Sequence, residues 1–496
     1  MAGSDLRTDV VVVGSGNAGL CAALAAAQAG AEVLVLEKAP KQHRGGNTAF
    51  VSRYRFAYSG LDDLREIGQI DDALAARLHV DPYPVSRFYD DLMTASGGLA
   101  DPDVTRVIVE ESQDTVRWLV ENGMRFEPTM EAAKPIGDKL TWDPGRMLRP
   151  TERGTEILRA LFSAAQRHGV QVMYDCAVTD LISDAPGGSV SGVVVAGPHG
   201  IERVEAGAVI LASGGFEASP EMRARYLGRN WDVVKVRGTR FNTGECLDMA
   251  LRHGVATSGQ FTGCHATMVH SSDVAVEMGD ELAFPHGYPY SLMVNVDGCR
   301  FVDEGAAFYA TTYAMYGRAV LEQPRARAFQ LFDATTAPLR DTTGVGRYAI
   351  PHPVADSIEE LADLAGISRE GLVQTVQAYN AAVQEGPFEP AELDGKRTHG
   401  LAVDKTNWAV PFCTPPFEAF PVECGLTFTY GGVKTDVDSR AVDVSGRPVA
   451  GLYAAGEIAG TFYFNYPGGA GLIKGAVQGR RAGLHAASAH AATPSG

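Results

Sequence analysis

Metal-binding and disulfide patterns are missing from this sequence. Its seven cysteines stand singly at positions 21, 176, 246, 264, 299, 413 and 424. They form no CxxC pair and no His/Cys spacing suited to zinc, iron–sulfur clusters or haem. Separate buried thiols are therefore the simpler interpretation, and the sequence predicts no metal centre.

Long hydrophobic runs and an excess of positive charge are missing as well. No stretch of about 18 or more uncharged apolar residues occurs, and the first residues enter a strand without the apolar segment of a signal peptide. The formal net charge of -17 argues against nucleic acid and anionic membranes as partners. We therefore expect a cytoplasmic protein with no nucleic-acid partner and no membrane insertion.

A dinucleotide-binding pattern occupies the start of the chain. Val10 to Val13 form a β-branched run typical of a buried parallel strand, and the segment Gly14-Ser15-Gly16-Asn17-Ala18-Gly19 opens an Ala-rich helix directly behind it. Gly14 permits the tight turn. Gly16 lets the backbone approach a pyrophosphate at the positive end of the helix, and Gly19 lets helix and strand pack closely.

A second strand and an acidic residue complete this pattern. Val33 to Leu36 form the strand, and Glu37 follows it at the spacing from Gly19 that suits hydrogen bonds from a ribose hydroxyl pair. A glycine motif alone would be weak evidence, but the strand, helix, strand and acid together predict dinucleotide binding. At 496 residues, the chain suggests two domains or one domain with a large insertion.

The rest of the first half predicts further helices and strands. A Gly-rich loop, Gly45-Gly46-Asn47-Thr48-Ala49, can bring backbone N–H groups and a hydroxyl against a flat ring system, although by itself it could be any Gly-rich turn. Apolar spacing predicts helices over 101–123 and 152–169, followed by strands over 170–174, 177–182 and 190–196. A buried strand then ends in Ala212-Ser213-Gly214, as a parallel strand does when its carboxyl end faces a ligand.

The second half contains a segment richer in aromatic residues and histidine, after which dinucleotide-domain features resume. A strand runs into Gly456-Glu457, and Gly471-Leu472 opens a closing helix. Three glycines at every fourth position of that helix, Gly475, Gly479 and Gly483, allow close packing against the first helix or the cofactor. We therefore predict an α/β fold in which a Rossmann-like domain, 1–240 and 416–496, carries an inserted α+β cap domain over 241–415.

Several of these motifs together resemble a known family. The segments GSGNAG, GGNTA, VILASGGF, NTGECLDMA, GCRFVDE and LYAAGEIAG look like the flavoprotein subunits of fumarate reductase and succinate dehydrogenase, over nearly the whole chain. Within that family, FVDEGA, YAMYGRA and FYFNYPGGAGL look closest to tricarballylate dehydrogenases, and the YPG element is shared with 3-ketosteroid dehydrogenases. The resemblance implies FAD as the cofactor.

The resemblance also implies which residues bind FAD. Glu37, followed by Lys38, would hold the adenosine ribose, and Ala177 or Val178 would meet the adenine through the backbone. Gly45 to Ala49 would line the pyrophosphate and the flavin. Glu245 and Glu457 would contact the ribityl side of the cofactor, and Gly471-Leu472 would face the flavin C2 carbonyl. A positive helix end at that carbonyl stabilises anionic reduced flavin.

Two departures from the family pattern bear on chemistry. Asn47 stands where the respiratory enzymes link FAD covalently through a histidine, so noncovalent FAD is expected. His265 matches one substrate histidine of the soluble fumarate reductases, but Thr427, Tyr466 and Phe308 replace a second histidine, the carboxylate-binding arginine and the proton-donating arginine. The candidate catalytic residues are accordingly Tyr466, His265, Tyr309, Tyr313 and Arg300, with Arg318 and Arg240 as further candidate anion clamps.

These residues predict an FAD-dependent oxidoreductase of CH–CH bonds. We expect it to dehydrogenate a saturated carboxylate or ketone α,β to the carbonyl, with a substrate lying on the flavin face between the two domains and an electron acceptor that the sequence does not identify. An ene-reductase working in the opposite direction is the first alternative. A nonenzymatic, FAD-stabilised scaffold is the second, and the aromatic and His content of the cap speaks against it.

Overall fold

The computed structural model of the protein describes residues 6–51, 53–277, 286–340 and 350–491. The chain divides into two compact units. The first unit comprises Met1–Arg229, Gly238–Cys264 and Phe428–Gly496, and the second comprises Asn230–Arg237 and His265–Thr427. Within the described ranges, no helix has both the length and the apolar character needed to cross a bilayer.

The strands of the described residues follow the chain from the first unit through the second and back. They are β1 (Leu6–Val13), β2 (Val33–Leu36), β3 (Phe126–Pro128), β4 (Lys134–Ile136), β5 (Lys139–Thr141), β6 (Leu148–Pro150), β7 (Gln171–Met173), β8 (Ala177–Ser183), β9 (Val190–Gly197), β10 (Gly200–Leu211), β11 (Lys235–Val236), β12 (Thr257–Ser258), β13 (Cys264–His270), β14 (Leu292–Asn295), β15 (Arg327–Phe332), β16 (Val354–Ala355), β17 (Phe417–Thr429), β18 (Gly432–Val433), β19 (Arg440–Val442) and β20 (Pro448–Ala454).

The helices are numbered in the same way. They are α1 (Asn17–Gln28), α2 (Leu61–Ile67), α3 (Asp72–Ala75), α4 (Val85–Ala95), α5 (Pro102–Glu110), α6 (Ser112–Glu121), α7 (Arg153–Arg167), α8 (Pro220–Leu227), α9 (Glu245–Arg252), α10 (Tyr309–Leu321), α11 (Ile358–Ala365), α12 (Arg369–Ala382) and α13 (Ala470–Ala491). Two single-turn 3-10 helices, Gly46–Phe50 and Gly456–Ile458, also bear on the candidate site.

The first unit is built on a sheet in the order β19-β20-β10-β1-β2-β7. Neighbouring strands from β20 to β7 are parallel, and β19 is antiparallel to β20. The hairpin β8–β9 joins this sheet through β10, as the alternating pattern predicted. The register aligns the last residues of β10 and β20, Leu211 and Ala454, so the segments that follow these strands leave the sheet at the same edge.

Two helices cover one face of this sheet and pack closely on each other. A Cβ on Gly479 would lie 2.2 Å from the Ala18 carbonyl oxygen, and one on Gly483 would lie 2.2 Å from that of Ala22. Only glycine allows α13 to approach α1 to this distance, because any larger side chain would overlap the α1 backbone. This confirms the packing that the fourfold glycine spacing predicted.

The second unit has its own sheet and core. Its central path is β11-β17-β15-β14, with β13 and β16 also paired to β17. Leu331, Phe417 and Ala419 of this sheet pack with Leu372 and Tyr379 of α12 in one buried cluster. Antiparallel strands with helices packed against them give the α+β character that was predicted for the inserted segment.

The unit limits differ from the sequence-based boundaries near 240 and 415. Residues 238–264 belong to the first unit because α9 packs against β8 of that unit. The second unit runs on to Thr427, since β17 continues its sheet. The α/β class, with a Rossmann-like domain interrupted by a separately folded segment, is confirmed.

The helix predicted over 101–123 is two helices. The chain breaks at Glu111, and the Ser112 hydroxyl donates a hydrogen bond of 2.7 Å to the Val109 carbonyl while accepting one of 3.0 Å from the Ala57 N–H. A serine side chain that competes for a backbone carbonyl can end a helix where apolar spacing alone continues it.

Candidate active site

Two glycines of the turn after β1 have no room for a side chain. Gly14 has a φ of +100°, and a Cβ there would lie 2.6 Å from the Ala212 carbonyl oxygen. A Cβ on Gly19 would lie 2.0 Å from the Gly14 carbonyl oxygen. Both glycines are therefore required by close backbone approach, as predicted, and the turn ends at the positive end of α1.

The N-terminus of α1 is tied to the loop that contains Gly45 to Ala49. The Asn17 N–H donates to the Thr48 hydroxyl at 2.8 Å, and the Asn17 side chain donates to the Leu472 carbonyl at 2.8 Å. The two glycine-rich loops and the start of α13 thus meet around one helix end. This is where the sequence placed a pyrophosphate and, beyond it, the flavin.

Glu37 is buried at the end of β2, and its carboxylate accepts several hydrogen bonds. Its Oε2 accepts from the Ser15 N–H at 2.9 Å and from the Ser15 hydroxyl, and its Oε1 accepts from the Ala39 N–H at 2.8 Å. A carboxylate offers about four acceptor positions, so Glu37 can still accept from a ligand hydroxyl. The geometry fits the ribose role.

Asn47 is fixed by hydrogen bonds at both ends of its amide. Its Nδ2 donates to Glu217 Oε1 at 2.7 Å, and its Oδ1 accepts from the Thr239 N–H at 2.9 Å. A Cβ on Gly238 would lie 2.3 Å from that oxygen, so the backbone presses directly against the amide. The Asn47 side chain is therefore held rigidly by the fold of the first unit.

Glu245 lies beside Lys38 at the start of α9. Lys38 Nζ contacts Glu245 Oε1 at 2.5 Å, and the Thr243 hydroxyl donates to the same carboxylate at 2.7 Å. Burial opposes ionisation here, but these hydrogen bonds prevail and the pKa of Glu245 lies below its ordinary value. Glu245 is thus held by Lys38, and its expected ribityl contact stays a proposal.

Three further groups of expected cofactor-binding residues lie at the ends of strands or helices of the first unit. Ala177 and the buried Val178 begin β8, Ser213 and Gly214 follow β10, and Gly456 has a φ of +78° at the start of its 3-10 helix. A Cβ on Gly214 would lie 2.3 Å from Asn242 Nδ2. The small residues after β10 are therefore needed because another side chain fills the space beside them.

Glu457 and Glu217 follow the aligned ends of β20 and β10. Glu457 Oε1 accepts from the Thr429 N–H at 2.8 Å and its hydroxyl at 3.1 Å. Glu217 is fully buried, and its Oε1 accepts from Asn242 Nδ2 at 2.6 Å as well as from Asn47. Sequence reasoning singled out Glu457 and missed Glu217.

Tyr466 is a half-buried member of an aromatic cluster in the first unit. Its ring centroid lies 4.9 Å from that of Phe428, edge to face, and 5.3 Å from that of Phe462. Edge-to-face packing fixes the ring plane, so the direction of the phenol is set by the cluster. Tyr466 precedes α13, and the Leu472 carbonyl described above lies in the first turn of that helix.

In the second unit, His265 belongs to a chain of rings. Its imidazole lies edge to face with Tyr313 at 5.0 Å, Tyr313 lies 5.1 Å from Tyr309, and Tyr309 lies 4.2 Å from His286. The structure thus brings together His265, Tyr309 and Tyr313, which the sequence proposed separately. His286, which is also buried, was missed as a site residue.

Arg237 supplies a positive charge beside this chain of rings. Its Nη1 donates to the Thr427 hydroxyl at 3.2 Å, and its N–H donates to the Leu426 carbonyl at 2.7 Å. Burial and then the Arg237 charge hold the pKa of His265 well below its ordinary value. The imidazole is therefore neutral at physiological pH and can accept a proton or a hydrogen bond.

Arg300 and Arg318 have structural partners. Arg300 Nη2 forms an ion pair with Glu304 at 2.6 Å, with both side chains buried, and its Nη1 donates to the Val403 carbonyl at 2.6 Å. The Arg318 guanidinium lies 5.2 Å from the centre of the Trp231 ring. These contacts disfavour Arg300 as a substrate clamp and make Arg237 the stronger candidate.

Comparison with known proteins gives this geometry its chemical context. The FAD binding domain family matches residues 9–473. The chain belongs to this family. A probable fumarate reductase, Ifc3 of Shewanella frigidimarina, is 28% identical over 490 residues, covering 98% of this chain and 76% of that protein. A 3-oxosteroid 1-dehydrogenase of Mycobacterium tuberculosis is 28% identical over 569 residues, covering 97% of this chain and 98% of that protein.

The structural comparison agrees with the sequence comparison. The open conformation of a flavocytochrome c3 fumarate reductase matches with a TM-score of 0.73 at 27% identity, covering 99% of this chain and 79% of that chain. The predicted family resemblance and the FAD cofactor are confirmed. The protein is an FAD-dependent enzyme, a dehydrogenase or reductase of CH–CH bonds.

The residues that sequence reasoning missed share a weak signal. Lys474, whose Nζ donates to the Gly456 carbonyl at 2.8 Å, was missed as well. Glu217 and Lys474 are charged residues inside otherwise small or apolar segments, and Arg237 lies in a polar stretch between two predicted elements. A charge in such a segment indicates a buried partner. The sequence does not identify the partner of each charged residue, because only the fold brings the two residues together.

Proposed function

We propose that this flavoenzyme dehydrogenates a saturated small molecule next to a carbonyl or carboxylate group. The observation that carries the proposal is the buried His265 in ring contact with Tyr313. Burial and then the Arg237 charge hold the pKa of His265 below its ordinary value, so we infer a neutral imidazole. A dehydrogenation must remove a proton from the carbon next to the carbonyl, and a neutral imidazole is available to accept it.

Bound FAD supplies the two-electron acceptor that such an oxidation needs. Arg237, with Thr427 at 3.2 Å, is suited to bind an anionic oxygen of the substrate, since a guanidinium binds carboxylates in a planar, bidentate manner. Tyr466 is proposed to donate to the substrate carbonyl as negative charge develops on it. Tyr313 packs edge to face on His265, and Tyr309 packs on Tyr313, so these rings restrict the orientation of the imidazole.

The opposite direction, reduction of an enoate or enone, is the second candidate function. The similarity to a protein named as a fumarate reductase favours it. A reductase needs a proton donor at the substrate, and a neutral His265 is a poor proton donor at neutral pH. We therefore propose dehydrogenation, in which a neutral imidazole is in the protonation state of a base.

Anaerobic mixing with candidate substrates tests the proposal. The yellow protein is mixed with saturated polycarboxylates and saturated ketones, and flavin absorbance is followed. We expect bleaching by a saturated compound, and we expect Arg237→Gln to lose bleaching by carboxylates while FAD stays bound. If no saturated compound bleaches the flavin and an unsaturated one reoxidises chemically reduced protein, the reductase function holds instead.

A further inference from the structure

Two carboxyl groups of the first unit meet at the edge of the sheet where the cofactor residues gather. Glu217 comes six residues after the end of β10, and Glu457 comes three residues after the end of β20. Because Leu211 and Ala454 are register partners in parallel strands, both segments emerge side by side. The topology therefore brings two acids together from positions far apart in the chain.

Hydrogen bonds to Glu217 leave one of its oxygens facing the other acid. Glu217 Oε1 accepts from two side-chain amides, those of Asn47 and Asn242. Its Oε2 is buried, and no donor among the described residues forms a hydrogen bond with it. The Glu457 carboxyl is the group within hydrogen-bonding reach. A proton between the two carboxyls would satisfy that oxygen.

Glu457 is the member of the pair with support for a negative charge. Its Oε1 accepts both hydrogen bonds from Thr429. Lys474 Nζ donates to the Gly456 carbonyl at 2.8 Å and the Ala459 carbonyl at 2.5 Å, on either side of Glu457, and the charge of protonated Lys474 lowers the pKa of Glu457. The described donors to the Glu217 carboxylate are the neutral amides of Asn47 and Asn242, while Arg223 Nη1 donates to the Glu217 backbone carbonyl at 2.6 Å. We therefore place the proton on Glu217.

The backbone beside the two acids leaves no room for a side chain at Gly215. A Cβ on Gly215 would lie 2.2 Å from Glu457 Oε1 and 2.3 Å from the Thr429 hydroxyl oxygen. The Glu217 side chain is fully buried, whereas Glu457 is partly exposed. Glu217, the inner acid, is therefore inaccessible to solvent, and Glu457, the outer acid, is accessible to a ligand.

Electrostatics supports one shared proton. Burial, followed by the charge of Glu457, raises the pKa of Glu217 well above its ordinary value, and burial likewise raises the pKa of Glu457. Two carboxylates in contact, one of them fully buried, do not both ionise at neutral pH, because each charge opposes the other. One proton and one negative charge is the state that the surroundings stabilise.

We propose that Glu217 and Glu457 share one proton at neutral pH, and that Glu217 acts through this bond and through Asn47 as a positioning residue for bound FAD. The proton lets Glu217 donate to Glu457, which keeps the outer carboxylate oriented toward the cofactor. Oε1 of Glu217 meanwhile holds the Asn47 amide. The inference rests on FAD as the cofactor and is independent of the direction of the reaction.

Amide substitutions separate a shared proton from two ionised acids. In Glu217→Gln, the Gln oxygen accepts from Asn47 and Asn242 and the Gln NH₂ donates to Glu457, which reproduces protonated Glu217. In Glu457→Gln, the oxygen accepts from Thr429 and the NH₂ donates to an ionised Glu217. In the double variant, two NH₂ groups face each other and neither has an acceptor.

FAD affinity of these holoproteins gives the first readout. We expect Glu217→Gln to keep its dissociation constant for FAD within about threefold of the parent and Glu457→Gln to bind FAD more weakly, because it loses the outer carboxylate. The double variant should bind about ten- to a hundredfold more weakly than Glu457→Gln, as expected for unsatisfied buried donors. Glu217→Ala serves as the loss control. If Glu217→Gln weakens FAD binding as much as Glu217→Ala, both acids are ionised and the proposal fails.

Infrared spectroscopy of the parent holoprotein gives a readout that does not depend on any variant being stable. We expect the carbonyl band of a buried protonated carboxyl at pH 7, shifted in D₂O, and we expect Glu217→Gln to remove it. A parent spectrum without this band at pH 7 overturns the proposal. If Glu217→Gln does not fold, loss of the band in Glu457→Gln, in which Glu217 becomes ionised, tests the same assignment.

Discussion

Asn47 donates a hydrogen bond of 2.7 Å to Glu217. The family resemblance of the sequence led us to expect Asn47 in the place of a flavin-linking histidine. A carboxamide does not form that covalent bond, and this one is engaged at both ends. The first prediction is therefore that FAD is held noncovalently. Acid precipitation should release all yellow colour into the supernatant. Colour remaining in the washed pellet would show a covalent link.

The second prediction concerns Tyr466. If its phenol polarises the substrate carbonyl, it acts mainly in the transition state, so Tyr466→Phe should lower kcat by about ten- to a thousandfold with FAD content unchanged. The ring packing with Phe428 and Phe462 is retained in this variant. Tyr226→Phe, which alters another packed tyrosine of the same unit, is the control. Turnover of Tyr466→Phe within about twofold of the parent would leave Tyr466 a packing residue.

The third prediction concerns stability of the second unit. Arg300 and Glu304 form a buried ion pair in which Glu304 is fully buried, so removing the arginine leaves an uncompensated charge. We expect Arg300→Met to lower the free energy of unfolding by about 3–5 kcal/mol, and Arg300→Met with Glu304→Leu to recover part of the loss. Denaturant unfolding measures both. A stable Arg300→Met protein with impaired substrate binding would restore the clamp role that the sequence suggested.

The fourth prediction is a pH dependence from Lys474. Burial lowers the pKa of Lys474 from an ordinary 10.5 to about 7, despite the opposing charge of Glu457. Between about pH 7 and pH 10 the unfolded chain binds more protons at this lysine than the folded protein does, so its contribution makes stability rise with pH over this window. Lys474→Met should flatten that rise, and Lys41→Met, at an exposed position, should not. Parallel pH curves for parent and Lys474→Met would contradict the assignment.

Much of the fold follows from local patterns in the sequence. The strand Val33–Leu36 and the glycine spacing of α13 were predicted because periodicity and glycine spacing reflect contacts within one element and its direct neighbour. The break at Glu111 was not predicted, because a serine hydroxyl that competes for a carbonyl leaves no trace in apolar spacing.

The site could be predicted only where residues act through local motifs. Gly14, Gly19 and Glu37 are required by one strand–turn–helix–strand unit, and the sequence identified them. Glu217 depends on Asn47, which lies 170 positions earlier in the chain, so its role follows from three-dimensional proximity. Arg237 likewise depends on Thr427, 190 positions later. Arg300 was proposed as a clamp because the sequence motif that contains Glu304 does not show that the two side chains form an ion pair.

The direction of the reaction is the central claim, and a pair of single-turnover measurements tests it most directly. Once a saturated compound that bleaches the flavin has been found, oxidised holoprotein is mixed anaerobically with it, and chemically reduced holoprotein is mixed with the corresponding unsaturated compound. We predict that flavin reduction by the saturated compound is the faster reaction at pH 7, because His265 is neutral and available to accept the substrate proton. Reoxidation by the unsaturated compound that is faster at every substrate concentration would contradict the account and identify the protein as a reductase.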